Sequence, residues 1–386
     1  MDTDLLIILP ALIGALIATG LFLYGFWQIV KTYSFHARLV ELARTLKFIR
    51  SDENPIITTS GHPWEAGGVM NPAAMHAGGK THLFYRAVGN DGVSRVGYAT
   101  SDNGMKIDQR FPYPVFALAE QSERPSRDFA AHKGLLASGG SFAGVEDPRA
   151  VVIDDTMYLS FNAFAGWNSL RVGISSIKLD DVLAKRWKWT PPVYLSPTGQ
   201  VHKNWVLFPE KINGKFAVLH NLHTDSPDRV RIEYIDNLET YDANKAPESP
   251  DPQQLPDRLI AWHTRMRSAG PPPIKTKDGW LVLYHATDTE SHRYKMGALL
   301  LDSNDPTRVI ARAPLPVLTP DASYENEGKP GIVYACGATL VGDTLRVYYG
   351  GADKVGCVAK TSLSRLLKNM ERTDAVHAAP SLLAIA

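Results

Sequence analysis

With 386 residues and a formal net charge of +1, the chain lacks the positive excess needed for bulk electrostatic binding of nucleic acid. Its length suits two or three average domains or one long all-β unit. Two cysteines, Cys336 and Cys357, make no disulfide framework and fit a reducing compartment, and with neither CxxC nor HExxH present no zinc motif stands out.

The N-terminus differs in kind from the rest. Leu5 to Val30, "LLIILPALIGALIATGLFLYGFWQIV", carries no charge over 26 residues. At ~1.5 Å per residue such a helix reaches across a ~30 Å hydrocarbon core. Tyr24, Phe26 and Trp27 sit near one end, where aromatic rings favour the interface. A secretory signal peptide would carry basic residues first, yet Asp2 and Asp4 precede this run. A helix buried in a soluble core is the competing reading, but the run is apolar on every face. Lys31, Arg38, Arg44, Lys47 and Arg50 all follow it, and the positive-inside rule puts that side in the cytoplasm. The expected organisation is a transmembrane segment over 1–30, a basic juxtamembrane helix over 31–50 and a catalytic domain over 51–386. The basic residues suit anionic headgroups, or simply a solvated helix face.

From residue 51 onward a pattern recurs. A turn pair leads into alternating apolar residues that end in an aromatic or a histidine. It reads "GGKTHLFYRAV" from Gly78, "DDTMYLSFNAF" from Asp154, "NGKFAVLHNL" from Asn213, "KDGWLVLYHAT" from Lys277 and "VGDTLRVYYGGAD" from Val341. A second alternating strand follows each. One hairpin cannot bury its apolar face alone, so repeated hairpins pack on their neighbours. The expected fold is all-β, a five-bladed β-propeller after the N-terminal transmembrane helix. A pair of β-sandwiches is the alternative. Residues 103–143 form a long connection of the kind that carries function or disorder, and "PESPDPQQLP" from Pro247 reads as an exposed linker.

Polar residues gather at corresponding ends of these repeats. "GVEDPRAV" puts Glu146, Asp147 and Arg149 at a turn into a strand, and "GVMNPAAM" contains Asn71. Arg86, His220 and Asp353 end the first, third and fifth echoes, and Lys203 lies in "VHKNWVLFPEKINGK". Singly, Lys203 and Arg171 read as solvated charges and His220 as a hydrogen-bonded core histidine. Together they point to one shared pocket.

These segments, with "NPIITTSGHPWEAGGVMNPAAM", "FYRAVGNDGVSRVGYATSDNG", "KNWVLFPEKINGKFAVLH", "GPPPIKTKDGWLVLYH" and "YYGGAD", resemble glycoside hydrolase family 130, the β-mannoside phosphorylases and some β-mannosidases. The resemblance runs from about Asn54 to about Leu367. It implies a five-bladed propeller, Asp147 as catalytic acid and Asn71, Arg86 and Asp353 as sugar-binding residues. By the same resemblance Arg171, Lys203 and His220 are the phosphate-binding groups. Two departures from the family pattern are Asn221, where an Arg is frequent, and Lys329-Pro330-Gly331, where V-P-N is usual.

An inverting hydrolase needs an acid and a base. Phosphate is already an anionic nucleophile, so one acid with a cationic cluster suffices for phosphorolysis. The expected activity is inverting phosphorolysis of a small β-mannoside to α-mannose 1-phosphate, or its reverse. The only co-substrate is inorganic phosphate, with no cofactor and no metal. A β-mannosidase of the same family and a non-catalytic carbohydrate-binding propeller are the rivals.

Overall fold

The computed structural model describes residues 3–118, 140–166, 170–221, 230–245, 262–263, 265–287 and 290–372, without the side chains of 3–16, 18, 221 and 265. The linker expected at Pro247–Pro256 and most of the 103–143 connection lie outside the described residues. The chain divides into two compact units, Met1–Thr45 and Leu46–Ala386.

The first unit is one helix, α1 (Thr3–Leu46), unbroken where the apolar run gives way to the basic segment. Among the described residues no helix is long and apolar enough to cross a membrane. Much of the Leu5–Val30 run falls on side chains outside that description. Of the five basic residues after the run, Arg44 pairs with Glu41 at 2.9 Å within α1. Lys47 and Arg50 belong to the second unit and pair there with Asp321 and Glu325, at 2.9 and 2.8 Å.

The second unit is built of antiparallel sheets in five repeats. The first holds β2 (Gly68–Ala77), β3 (Lys80–Val88), β4 (Val93–Ser101) and β5 (Gln109–Arg110). The second holds β6 (Ala143–Ile153), β7 (Thr156–Phe164), β8 (Leu170–Lys178) and β9 (Val193–Tyr194). A short parallel pairing of β4 with β6 joins the two. The third holds β10 (Val206–Leu207), β11 (Phe216–Asn221) and β12 (Arg231–Ile235). The fourth holds β13 (Arg265–Ala269), β14 (Ile274–Thr276), β15 (Gly279–Thr287), β16 (Lys295–Leu301) and β17 (Val309–Arg312). β13 and β14 both pair with β15, and the prolines between them, which lack an N–H to donate, interrupt that ladder. The fifth holds β18 (Val333–Val341), β19 (Thr344–Gly351) and β20 (Val355–Ser362). Two short helices, α2 (Leu179–Leu183) and α3 (Leu363–Lys368), follow β8 and β20.

The first and last described strands of this unit are held by pairing. β1 (Ile49–Arg50) adds to the edge of β20, and β21 (Glu371–Arg372) adds to β17. The five echoed segments of the sequence are β3, β7, β11, β15 and β19, each the middle of its sheet. β2, β6 and β18 pair ahead of their echo strands and were not read as strands over these ranges from the sequence.

Cores lie between successive repeats. Phe84 and Tyr98 pack with Leu159 and Phe161, Val172 and Ile174 with Trp205 and Val218, and Leu219 with Trp280 and Val282. Tyr348 and Val358 of the fifth pack on Leu83 and Tyr85 of the first. Burial of such side chains contributes ~1.5–3 kcal/mol each. A close approach repeats as well. Tyr85 faces Gly97 and Tyr284 faces Gly297, and a Cβ at either glycine would overlap the ring. The glycine in each "VGY" or "MGA" is there to let the ring lie flat on the neighbouring strand.

Candidate active site

Asn71 and Asp147 sit at equivalent bulges. β2 shifts register between Met70 and Ala73, and β6 between Glu146 and Arg149. Each bulge holds a residue in the left-handed region, Asn71 at φ 51° and Asp147 at φ 49°, followed by a proline. Asn and Asp tolerate that region best among non-glycine residues, and proline has no N–H to waste in the break. The sequence placed Asp147 at a turn before the strand. It lies instead inside β6, because the bulge absorbs the turn and re-aims the side chain. Asn204 and Asp353 share the conformation, at φ 63° and φ 51°. Strained backbone gathered this way marks a site rather than a scaffold.

The bulge brings two adjacent carboxylates into one buried cluster. Asp147 Oδ1 accepts from Asn71 Nδ2 at 2.7 Å and from Arg86 Nη1 at 3.2 Å. Among the described residues its Oδ2 has only a long approach from Asn162 Nδ2, 3.4 Å. Arg86 divides its guanidinium: Nη2 also donates to Glu146 Oε1 at 2.9 Å and to Ser141 Oγ at 2.8 Å, and Nε to Ser94 Oγ at 3.0 Å. Lys203 Nζ donates to Glu146 Oε2 at 3.3 Å. Arg149 Nη1 donates to the Asp147 carbonyl at 2.8 Å and its Nε to the Gly270 carbonyl at 2.8 Å, tying β6 to the fourth repeat. Burial pushes the Asp147 carboxyl up, but Arg86, Lys203 and Arg149, with the Asn71 hydrogen bond, outweigh it and hold it below the usual carboxylate range. At neutral pH the Asp147 carboxyl is therefore ionised.

The structure joins Asn71, Arg86, Asp147 and Lys203 in this cluster. Asp353 lies just beyond β19, near enough to add to the negative field on Arg86, and accepts from Lys329 Nζ at 3.3 Å. Lys329 is the departure residue noted in the sequence. Arg171 shares a strand face with Ala163 rather than with Asn162, so it leaves the sheet on the side opposite Asn162. Its guanidinium donates to the Ser196 carbonyl at 2.9 Å and stacks over Tyr194 at 4.2 Å. His220 lies flat on Trp205, ring centroids 4.1 Å apart, with Glu233 at 3.6 Å.

The sequence gives Glu146 and Arg149 no role beyond their place in the motif, and its motifs do not mark Asn162, Asn204 or His285 as site residues. The echoes held the signal for two of them. Aligned on the residue that faces the third strand, the next position reads Arg86, Asn162, His220, His285 and Gly350. His285 accepts from the Ala335 amide at 2.8 Å and stacks on Tyr334 at 4.0 Å, and burial pushes its pKa down to about 3, so it is a neutral acceptor. Gly350 is the exception that shapes the pocket, because a Cβ there would strike Asn71 Oδ1. That oxygen is buried with no hydrogen-bond partner among the described residues. Among the described residues no group of three or more His, Cys, Asp or Glu could hold a metal.

A family profile described as β-1,4-mannooligosaccharide phosphorylase matches residues 41–372. A 1,2-β-oligomannan phosphorylase of Thermoanaerobacter sp. (strain X514) is 35% identical over 326 residues, 81% of this chain and 97% of the relative. A β-1,2-mannobiose phosphorylase of the same strain is 34% identical over 80% of this chain and 94% of the relative. Among solved structures, the β-1,2-mannobiose phosphorylase of Listeria innocua, in complex with β-1,2-mannobiose, is 25% identical, covers 83% of this chain and 98% of its own, and superposes with a TM-score of 0.63.

Proposed function

Because this chain belongs to glycoside hydrolase family 130, we propose that it catalyses inverting phosphorolysis of a β-1,2-linked mannoside, releasing α-mannose 1-phosphate. The two relatives above, both named for β-1,2 linkages, support that linkage. The observation that carries the chemistry is the asymmetry of the paired acids. Glu146 is fully committed to Arg86, Ser141 and Lys203, while Asp147 keeps Oδ2 nearly open. One acid is thus available and, among the described residues, no second carboxylate in the cluster is free to activate water, which suits a nucleophile that arrives already charged.

In this reading Asn71, Arg86 and Asp353 hold the sugar, and Asp147 supplies the proton that reaches the leaving oxygen through a sugar hydroxyl. Phosphate attacks the anomeric carbon from the opposite face as the glycosidic bond breaks, which inverts the centre. Lys203 supplies the cationic side for phosphate, with His220, at the echo position of Arg86, as a further polar group. Phosphate's own charge, set among cations that hold Asp147 ionised, raises the affinity of Asp147 for its proton. Binding of the nucleophile therefore arms the acid.

The five repeats, packed in order with the fifth on the first, support a five-bladed β-propeller with this cluster at one mouth of its channel. The helix is read as a membrane anchor. Ile17, Leu21, Phe22, Leu23, Phe26, Trp27 and Ile29 are all exposed along it, more apolar surface than a solvated helix tolerates. The basic residues that follow favour a cytoplasmic catalytic domain. That bias acts on the chain before it folds, so later pairing of Arg44, Lys47 and Arg50 does not weaken it. Incubation with mannobioses of different linkage, with and without phosphate, tests the activity. Mannose 1-phosphate from the β-1,2 isomer is the expected product. Free mannose released without phosphate would assign the chain to the hydrolases, and binding without turnover to the silent propellers.

A further inference from the structure

Glu146 stands at the centre of the cluster with no part in the reaction as described. It is completely buried and adjacent to the acid, and the bulge turns both carboxylates to the same side. It draws on the cations that also act on Asp147. Arg86 gives Nη2 to Glu146 at 2.9 Å and Nη1 to Asp147 at 3.2 Å. Lys203 gives its ammonium to Glu146 at 3.3 Å and adds to the positive field on Asp147. Ser141 Oγ donates to the same Glu146 oxygen that takes Arg86, at 3.0 Å, which fixes the carboxylate's rotamer.

We propose that Glu146 is a positioning residue for the acid: by occupying Arg86 and Lys203 it leaves Asp147 able to hold the proton that it delivers. This rests on the phosphorylase reading of the site. Without Glu146, Arg86 and Lys203 both turn their full charge on Asp147. The acid is then locked as a carboxylate, and the site binds anions at the expense of proton transfer. The charged and titratable groups facing Asp147 are Arg86 from β3, Arg149 from β6 itself and Lys203 from the segment before β10. His285 of β15 and Tyr334 and Cys336 of β18 stand further off, and Asp353 acts through Arg86. His285 is neutral, and burial keeps the Tyr334 phenol and Cys336 thiol protonated, so Glu146 is the negative group that balances the three cations beside the acid.

The test is the pH profile of kcat at saturating β-1,2-mannobiose and phosphate in the full-length protein. A general acid works only while protonated, so rate is lost as pH rises through its pKa in the complex. Glu146→Gln removes a like charge from beside Asp147 and should move that falling limb down by about one pH unit. Lys203→Met should move it up. The double variant Glu146→Gln/Lys203→Met, which leaves no uncompensated charge, should return it close to the wild-type position. A Glu146→Gln limb that stays in place while kcat falls would show a merely structural residue. If Glu146→Gln does not fold, the double variant decides: a limb matching that of Lys203→Met alone overturns the proposal.

A second readout needs no turnover and so separates this idea from the activity. In urea unfolding at neutral pH, Asp147→Asn should destabilise the Glu146→Gln protein more than the wild type, because there Glu146 no longer offers Arg86 a second carboxylate charge. Equal effects in the two backgrounds would mean that the carboxylates do not share their cations. Absence of mannose 1-phosphate from the wild type, with that coupling present, would sink the phosphorylase reading and leave the electrostatic one standing.

Discussion

Glu325 and Glu146 are both fully buried and both hold an arginine, yet one closes the fold and the other keeps a site ready. Glu325 takes Arg50 through two oxygens, at 2.8 and 2.8 Å, and also accepts from the Tyr349 hydroxyl at 2.8 Å and the Ala322 amide at 2.9 Å. Glu65 repeats the arrangement in the first repeat, taking Arg110 at 2.6 Å, the Tyr85 hydroxyl at 2.9 Å and the Ser60 hydroxyl. Tyr85 and Tyr349 occupy the same place in their echo strands. In these locks one carboxylate faces one guanidinium, and neutral donors fill the remaining lone pairs. Around Glu146 and Asp147 one guanidinium serves two carboxylates, a partly exposed lysine leans in, and the backbone is held in the left-handed region. The parts are the same. A lock has donors to spare, whereas a site shares its donors so that a ligand can redistribute them.

The sharpest way to break that contrast is to remove one partner from each side. Glu325→Ala should cost about 3–5 kcal/mol of stability, because it leaves the Arg50 guanidinium half-buried and unmatched. Urea unfolding measures it, and protein that remains folded should keep its kcat. Asp147→Asn should do the reverse. Turnover should fall ~10²-fold or more, the size of a general-acid contribution, while the unfolding midpoint stays near that of the wild type. Asparagine keeps the left-handed conformation and the volume, so a near-normal rate would rule Asp147 out as the acid.

Two smaller changes sharpen the comparison inside the site. Gly350→Ala should lower kcat/KM about tenfold, since the new methyl displaces Asn71 and loosens Asp147, and catalytic geometry is sensitive to shifts of ~1 Å. A crystal structure of the variant should show the Asn71 side chain moved. Lys203→Ala should raise the KM for phosphate by roughly tenfold, the worth of a charge-assisted hydrogen bond, with less effect on the KM for sugar. Collapse of sugar affinity with phosphate dependence intact would move Lys203 to the sugar side.

Much of the second unit could be read directly because its repeats are local. The turn pairs and alternating residues at Gly78, Asp154, Asn213, Lys277 and Val341 each specify a hairpin within a few residues, and all five are middle strands. β2 and β6 were harder. Each contains a proline and a break in alternation, the signs of a turn, and only pairing with β3 and β7 shows that the break is a bulge within a strand. Arg171 illustrates a parity that residue type hides. Its position at the start of β8 is as polar and as terminal as that of Arg86 near the end of β3. Strand alternation nevertheless sends it to the face of Ala163, a parity that depends on register and not on residue type.

The sequence by itself determined the hairpins, the apolar N-terminal run and the motifs that mark the family, because each is a pattern over a few neighbouring residues. Tertiary structure decided which charges meet. Arg86 and Glu146 are 60 residues apart, Lys203 and Glu146 are 57 apart, and Arg50 and Glu325 are 275 apart. Arg50 reads in the sequence as one more basic residue after an apolar run, and it becomes a structural lock only when β1 adds to the edge of β20. Coulomb energy depends on distance through the fold and not along the chain. That is why Asp147 could be singled out as the candidate acid from its motif, whereas the carboxylate that shares its cations could be found only in the structure.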